Sequence, residues 1–372
     1  MLDKTPFYAE SGGQVGDTGY IEAKSEQSGV PDLSGNEKIY ITDTKKENEL
    51  IIHIAEKLPE DVKATFKTVV DAKKRLLTQN NHSATHLLHA ALRRVLGDHV
   101  QQKGSLVHPD YLRFDFSHFA KVSDKELKQI EVQVNQKIRE NIALDEKRNV
   151  LLKEAKRLGA MALFGEKYSD RVRMIIFDKN YSVELCGGTH VSATGEIGVF
   201  KIISESSVAA GVRRIEALTA DKAERYINKH FDIIDNLKEQ LKNPKDINKA
   251  VHTLIEENNE LKKQVESYQL QQVNQLKQEF IDSIEHLNGI SYIAKKVTLS
   301  SNDALRQLAF DLKRKVDDLF LVLATEINGK PQIAVMISDG LVKKKGYHAG
   351  NIVKELAKEI KGGGGGQAFF AT

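Results

Sequence analysis

The sequence predicts a multidomain α+β protein, and three observations lead to this prediction. Short runs of alternating apolar and polar residues, separated by glycine-containing turns, fill residues 1–75 and predict a β-rich, barrel-like subdomain. Residues 76–220 mix helical and strand patterns, whereas residues 221–287 are helical, polar and poor in aromatic side chains. Residues 288–372 alternate strands with helices and predict a small α/β domain. A chain of 372 residues is long enough for roughly two or three domains.

Composition restricts the class of protein only weakly. The chain has 55 Lys and Arg against 52 Asp and Glu, and a net charge of +3 neither requires nor excludes a nucleic-acid partner. The single cysteine excludes an intrachain disulfide, and the first residues lack a secretion signal, which favours a cytoplasmic location. Every apolar run is far shorter than the roughly 18 residues of a membrane span. We therefore expect a soluble protein with no membrane partner.

Residues 76–220 begin with a helical pattern. Leucines and alanines three and four apart predict a helix that contains His82, His86 and His89 and ends near Gly97. The sequence then predicts an extended stretch over residues 111–119, a helix that starts after a capping box at Ser123 and a second helix around Glu154 to Leu163. Strands dominate the remainder up to Thr219.

Residues 221–287 predict a helical hairpin that is interrupted around Pro244. Beyond this break, apolar residues three and four apart are typical of a coiled-coil seam, which would serve as a spacer or a dimerisation element. A solvated helix packed on its own domain is an equal alternative, because the pattern covers only about three heptads. The seam consists of Val251, Leu254, Asn258, Leu261, Val265 and Tyr268.

Two pairs of residues are candidate metal ligands. His82 and His86 lie four apart in a predicted helix, so their side chains point the same way one turn apart. Cys186 and His190 flank Gly-Gly-Thr, which favours a loop in which a thiol and an imidazole converge. Zn²⁺ accepts all four of these side chains, and together they predict one zinc site. Taken separately, each pair has an ordinary alternative, as a helix histidine pair or as a small buried cysteine.

Five long motifs are distinctive: FYAESGGQVGDTG at 7–19, HSATH at 82–86, QQKGSLVHPDYLRFDFSH at 101–118, CGGTH at 186–190 and GVRRIEALT at 211–219. Together they resemble the editing region of alanyl-tRNA synthetases. The terminal glycine run is similar to the glycine-rich motif of that family's C-terminal domain, and the resemblance is weakest in residues 221–287. It implies a C-terminal fragment with an editing domain, a helical spacer and most of a tRNA-binding domain.

The resemblance implies a hydrolase that removes serine or glycine wrongly attached to tRNA(Ala). One Zn²⁺ would be held by His82, His86, Cys186 and His190. Four protein ligands normally make a closed structural site. Two roles for the zinc therefore stay open: it would activate water, or it would only orient the substrate. ATP and Mg²⁺ would serve the family's aminoacylation domain alone, and we expect no ligation of alanine by this chain. The expected partner is tRNA(Ala), with a homodimer through the helical or C-terminal region as a further candidate.

The same resemblance assigns further residues to the site. It places Thr85 and Gln102 at the catalytic pocket, where a polar side chain would sense the serine hydroxyl; otherwise they are an ordinary helix residue and a surface amide. Gln14 and Asp17 lie in a motif near the site, although its glycines also suit a simple hairpin turn. The candidate tRNA contacts, for which solvated surface is the alternative, are Arg113, Arg213, Arg214 and residues 343–348.

Two other functions fit the sequence. One is a free-standing deacylase that edits mischarged tRNA in trans, and the other is a non-enzymatic tRNA-binding and dimerisation module with a structural zinc. Nucleotide binding by the glycine run at 362–366 is a poor interpretation, because the Lys-Ser/Thr of a P-loop does not follow it.

Overall fold

The structure, a computed structural model, describes residues 2–23, 38–48, 50–161, 168–299 and 301–372. It divides the chain into two compact units, Met1–Leu237 and Lys238–Thr372, which we call the first and the second unit. The described residues form eight α-helices and four β-sheets, so the predicted α+β class is confirmed. Among the described helices, none is both long and apolar enough to cross a membrane.

The first sheet has four antiparallel strands in the order β3-β2-β1-β4. Its inner face packs Ile39 and Ile41 from one strand against Phe7 and Ile21, as the alternating pattern requires. Barrel-like closure of this region stays a prediction, because the described strands follow a linear order. The strands are β1 (Gly19–Ala23), β2 (Lys38–Glu47), β3 (Leu50–Ala55) and β4 (Phe66–Val70).

Helix α1 (Ala72–Leu96) runs through the interior of the first unit. The side chain of Asp71 caps its first turn, and Gly97 follows its last residue with φ +113, so the helix ends where the sequence predicts. Almost every residue between Thr78 and Leu92 is buried, including polar ones. Buried polar groups need partners, and this stretch therefore concentrates side-chain hydrogen bonds. The expected domain boundary at residues 75 and 76 falls inside this helix.

The second sheet is antiparallel, in the order β10-β11-β6-β5, and forms the main core with α1 and α2. Leu112, Phe114 and Phe116 alternate inward with no exposed surface. A capping box joins Ser123 and Glu126 at the start of α2, as predicted. The elements are β5 (Gln102–Val107), β6 (Leu112–Ser117), α2 (Asp124–Arg139), β10 (Phe200–Ala209) and β11 (Val212–Thr219), and a single 3-10 turn (Thr194–Ile197) precedes β10.

The third sheet, in the order β7-β8-β9, carries the loop that contains the cysteine. Its last strand ends at Leu185, so Cys186 is the first residue beyond the sheet. The helix predicted around Glu154 to Leu163 is shorter than expected, because Gly159 adopts φ +82 and ends it; residues 162 and 163 lie outside the described ranges. The elements are β7 (Asp145–Leu151), α3 (Leu152–Arg157), β8 (Arg171–Phe177) and β9 (Ser182–Leu185).

Two long helices follow, α4 (Ala220–Gln240) and α5 (Ile247–Asp282). Pro244 lies in the break between them, as the sequence predicts. The apolar residues of the predicted seam are exposed, from 40% for Val251 to 69% for Tyr268. A coiled coil or dimer contact along α5 therefore stays a prediction.

The second unit ends in a five-stranded sheet of order β12-β13-β14-β15-β16, in which only the pair β13-β14 is parallel. Helix α6 packs on one face and α7 and α8 on the other, so alternate residues of β14 contribute to two separate cores. The elements are β12 (Glu285–Leu287), β13 (Ile290–Lys296), α6 (Asn302–Lys315), β14 (Leu319–Ile327), β15 (Lys330–Ile337), α7 (Asp339–Lys345), α8 (Ala349–Glu359) and β16 (Phe370–Ala371).

Candidate metal centre

Four side chains from two distant segments converge inside the first unit. His82 and His86 come from the buried part of α1, and Cys186 and His190 come from the loop after β9. One potential ligand atom from each lies within 4.8 Å of all the others. The Sγ atom of Cys186 is 3.4 Å from Nε2 of His82 and 3.3 Å from Nε2 of His190. The structure thus brings together the four residues that the sequence pairs, in an arrangement that could hold one metal ion.

Gln14 fixes the orientation of His82. Its Oε1 accepts a hydrogen bond from the main-chain N–H of Thr189 at 2.9 Å, and its Nε2 donates to the Thr189 hydroxyl at 2.9 Å. The same Oε1 lies 2.7 Å from Nδ1 of His82, so Nδ1 must be the donor. Nε2 of His82 therefore keeps a lone pair that faces Cys186. Gln14 is completely buried beside His82, where it supports a candidate ligand.

The other two histidines have different surroundings. Nδ1 of His190 lies 3.1 Å from the Ser83 hydroxyl, which leaves its Nε2 facing Cys186. His86 has a buried Nδ1 with no hydrogen-bond partner among the described residues, and its Nε2 is 3.7 Å from a carboxylate oxygen of Glu184. Glu184 also accepts a hydrogen bond from Nδ1 of His89 at 3.1 Å. A buried nitrogen without a partner is costly, and a bound metal ion at this cluster would account for it.

Burial controls the protonation of the cluster. It lowers the pKa of His82 and His190 well below 6.5, and neighbouring histidines and Arg173 act in the same direction. Burial also lowers the pKa of His86, although the Glu184 carboxylate opposes it. The three imidazoles are therefore neutral at pH 7, which is the form that binds metal ions.

Gly188 and Arg173 shape the loop. A Cβ atom at Gly188 would lie 2.1 Å from Cε1 of His82 and 2.8 Å from Oε1 of Gln14, so no larger residue fits. Nη1 of Arg173, on β8, donates to the main-chain carbonyls of Cys186 and Gly188. The main-chain N–H of Gly188 donates to Sγ of Cys186 at 3.3 Å. These contacts hold the loop so that the thiol and the His190 imidazole point inward.

A cavity of about 430 Å³ opens onto the cluster. Thr85 and Gln102, which the family resemblance assigns to the pocket, both line it, together with Tyr8, Ser105 and Lys46. The Thr85 hydroxyl donates to the main-chain carbonyl of Asn81 at 2.8 Å, so its oxygen can still accept a hydrogen bond from a ligand. Burial raises the pKa of Tyr8 to about 12, which keeps this phenol protonated as a donor.

The acidic candidate from the N-terminal motif lies in an internal ion pair. Asp17 is buried, and its carboxylate binds the guanidinium of Arg75 and the main-chain N–H of Tyr8. These contacts tie the N-terminal loop to the first turn of α1.

Two of the three arginine candidates for tRNA contacts are also engaged within the protein. Nη2 of Arg213 is 2.6 Å from Glu205, and Nη2 of Arg214 is 2.8 Å from Asp115. Nε of Arg113 is buried and has no hydrogen-bond partner in the described part of the chain. The lysines within residues 343–348 lie in the second unit and are exposed.

Sequence reasoning missed three residues that support the cluster: Ser83, Arg173 and Glu184. A signal existed for two of them, because Arg173 and Glu184 are charged residues within apolar strand sequences. A charge at such a position must find a partner inside the fold.

Three family models match the chain. "Threonyl and Alanyl tRNA synthetase second additional domain" matches residues 172–216, which include Cys186 and His190. "tRNA synthetases class II (A)" matches residues 1–76, and "DHHA1 domain" matches residues 289–372. These matches make the chain similar to segments of tRNA synthetases.

The comparison with individual curated proteins is more specific than the family models. The whole of this chain matches a segment of alanine–tRNA ligases. It is 57% identical to the enzyme of Cytophaga hutchinsonii, 50% to that of Parabacteroides distasonis and 52% to that of Bacteroides thetaiotaomicron. Each match covers 100% of this chain and 41% of the relative. The resemblance predicted from the motifs is therefore confirmed.

The solved structures that match include the C-Ala domain of alanyl-tRNA synthetase from Aquifex aeolicus. The match has 24% identity, covers 24% of this chain and 78% of that domain, and has a TM-score of 0.22, which is too low to support a structural argument.

Proposed function

We propose that the first unit hydrolyses the ester that links serine or glycine to mischarged tRNA(Ala), with one Zn²⁺ held by His82, His86, Cys186 and His190. The observation that carries the proposal is the convergence of these four ligands at a cavity lined by Thr85 and Gln102. The match to alanine–tRNA ligases supplies the class of substrate. We assign ATP, Mg²⁺ and the ligation of alanine to the part of those relatives outside the matched segment.

The donor set fits zinc. Three neutral imidazoles and one thiol are ligands that Zn²⁺ accepts, and one of these imidazoles, that of His86, has a buried Nδ1 with no hydrogen-bond partner among the described residues. Zn²⁺ bound there would polarise an ester carbonyl or a water molecule. Cys186 is the only one of the four that is partly exposed, so it is the ligand next to which a substrate would lie.

The cavity lining supports selection of serine over alanine. The Thr85 oxygen and the Gln102 amide can hydrogen-bond the serine hydroxyl, and a site built for that contact discriminates strongly against a substrate that lacks it. Glycine is smaller than alanine, so a pocket cannot exclude it by size. The Tyr8 hydroxyl donates to the carbonyl of Ser11 at 3.0 Å and holds the cavity wall in place.

We further propose how the regions divide the work. Residues 1–75 and 76–220 would form the editing domain, residues 221–287 a spacer and residues 288–372 a tRNA-binding domain; the match to the DHHA1 model over residues 289–372 supports the last of these. Barrel-like closure of the first sheet, a homodimer and a cytoplasmic location belong to the same proposal.

A deacylation assay tests the function. The chain is incubated with Ser-tRNA(Ala), Gly-tRNA(Ala) and Ala-tRNA(Ala), and the variants Cys186→Ala and Gln102→Ala are compared with Gln101→Ala. Gln101 is the exposed neighbour of Gln102 and is a matched control. We expect the wild type and the control to release serine and glycine but not alanine. Cys186→Ala should lose both activities, whereas Gln102→Ala should lose mainly the release of serine. A folded, zinc-loaded chain that leaves Ser-tRNA(Ala) intact would instead indicate a non-enzymatic module with a structural zinc.

A further inference from the structure

A second cavity, of about 600 Å³, lies on the other side of the cysteine loop. It shares Arg171, Arg173 and the two loop glycines with the cavity at the metal cluster, and Arg148 and Glu146 also line it. The shared wall is therefore thin where the glycines lie, and three guanidinium groups face one carboxylate. This excess of two positive charges lies next to the proposed catalytic centre, and the mechanism described above does not use it.

Glu146 organises two of the arginines. Its Oε1 accepts a hydrogen bond from Nε of Arg173 at 2.7 Å and another from Nε of Arg148. The two guanidinium groups thus share one carboxylate oxygen through their Nε atoms, which leaves the Nη atoms directed away from it. Hydrogen bonds from Arg148 and Arg173 lower the pKa of Glu146 to about 2, so the carboxylate that holds the two arginines is charged at neutral pH.

The arginines retain donors that the described residues do not use. Among the described residues, Arg148 makes a hydrogen bond only through its Nε. Arg171 makes one only through its Nη1, which donates to the main-chain carbonyl of Asn149 at 2.8 Å. Arg173 uses Nε and Nη1 and retains Nη2. A guanidinium group has five N–H donors in a planar fork that matches the oxygens of a phosphate group.

We propose that Arg148, Arg171 and Arg173 form a binding subsite for the phosphodiester groups that adjoin the 3′-terminal nucleoside of the RNA. The inference rests on the proposed function, which puts the ester of the terminal ribose in the first cavity. The next phosphate along the strand lies one ribose away from that ester, and the proposal places it in the adjoining second cavity. Gly187 and Gly188 carry no side chain between the two cavities, so the strand can pass close to the loop.

The three arginines differ from Arg213 and Arg214. Each of those two already holds a carboxylate with two hydrogen bonds, so a phosphate would have to displace an internal partner. Contacts between arginine and phosphate position a nucleic acid without reading its bases, which suits the common 3′ end of a tRNA.

The test uses the complete 372-residue chain and the double variant Arg148→Gln/Arg171→Gln. Arg173 is left intact because it holds the cysteine loop. Arg157→Gln is the control, since Arg157 is an exposed arginine of α3 outside both cavities. Binding of a fluorescent single-stranded RNA ending in CCA is measured by anisotropy at several salt concentrations, zinc content is measured in parallel, and inorganic phosphate is used as a competitor.

We expect the double variant to bind the RNA at least about tenfold more weakly, with a salt dependence reduced by about 1.4 in log–log slope, while its zinc content stays unchanged. In deacylation of Ser-tRNA(Ala), the KM should rise more than kcat falls. Equal RNA affinity and salt slope in the double variant and the Arg157→Gln control would overturn the proposal. Loss of phosphate binding with unchanged RNA binding would also overturn it, because the site would then serve a small phosphate compound.

The measurement of RNA binding distinguishes a failure of this inference from a failure of the proposed function. If the wild type hydrolyses no aminoacyl-tRNA but the double variant still loses RNA affinity, the proposed hydrolysis fails and the phosphodiester subsite stands.

Discussion

Oε1 of Gln14 lies 2.7 Å from Nδ1 of His82 and joins the N-terminal glycine motif to a histidine 68 residues later. Gln14 also binds Thr189, inside the cysteine loop, through both its amide atoms. One buried side chain of the N-terminal motif therefore contacts both segments that form the cluster. The N-terminal motif takes part in the site through this contact, because it sets the orientation of a ligand.

Substitution of Gln14 tests that relationship. In Gln14→Ala the imidazole of His82 loses the acceptor that holds its proton on Nδ1, so its Nε2 is less well presented to a metal ion. Removing such a supporting contact typically lowers metal affinity by about 10–100-fold. Competition with a chelator measures the zinc affinity, with Gln101→Ala as the control. Equal affinities in the two variants would show that Gln14 does not orient His82.

The two loop glycines give a second, internally controlled prediction. A Cβ atom at Gly188 would lie 2.1 Å from the His82 ring, whereas a Cβ atom at Gly187 would have no described atom within 4 Å. We expect Gly188→Ala to displace the loop, to lower the free energy of unfolding by about 1–3 kcal/mol and to abolish stoichiometric zinc binding. Gly187→Ala should retain both. Urea denaturation and metal analysis of the purified variants measure the difference, and similar losses in both would contradict the close approach of Gly188 to His82.

Local patterns predicted much of this fold. Spacing along the chain is sufficient to predict α1 and its end at Gly97, the capping box at Ser123 and the inward alternation of residues 112–116. Each of these features depends on neighbours within a few residues. The same is true of the two ligand pairs, whose members lie four residues apart.

Contacts between distant segments could not be predicted in this way. A sequence shows that Arg213 and Arg214 are charged but not that Glu205 and Asp115 lie beside them, because strand pairing decides these neighbours. For the same reason the sequence does not show that Asp17 holds Arg75, or that Glu184 lies between two helix histidines. Partners across a fold depend on tertiary packing, which no short pattern records.

The ion pair at Glu146 predicts a pH dependence of stability. Hydrogen bonds from Arg148 and Arg173 lower the pKa of this carboxyl from 4.5 to about 2. A carboxyl with a lowered pKa in the folded state stabilises the fold fully above pH 4.5, and this contribution is lost as the pH falls towards 2. Because the Glu146 side chain is 23% exposed, solvent weakens the ion pair. We therefore expect Glu146→Gln to lower the free energy of unfolding by about 1–2 kcal/mol at pH 7, which is less than the full pKa shift would give.

Urea denaturation at pH 7 and pH 3 measures this contribution. The difference in unfolding free energy between the wild type and Glu146→Gln should shrink at pH 3. Glu154→Gln, at an exposed position of α3, removes the same charge where the described residues form no ion pair, and should show no such change between the two pH values. A difference that stays constant from pH 7 to pH 3 would rule out the ion pair as its source.

Zinc should stabilise one unit of the chain and not the other. All four candidate ligands belong to the first unit, so zinc held by them would bind its folded form and shift its unfolding equilibrium. With free zinc at about 100 times its Kd, the gain is about 2.7 kcal/mol, which corresponds to a rise in Tm of roughly 5–10 °C for a unit of this size. Calorimetry with zinc and with a chelator measures the shift, and the transition of the second unit serves as an internal reference. In Cys186→Ala the zinc-dependent shift should be largely lost, because the cluster then offers only three ligands. A shift of equal size in this variant, or one confined to the second unit, would show that zinc binds elsewhere.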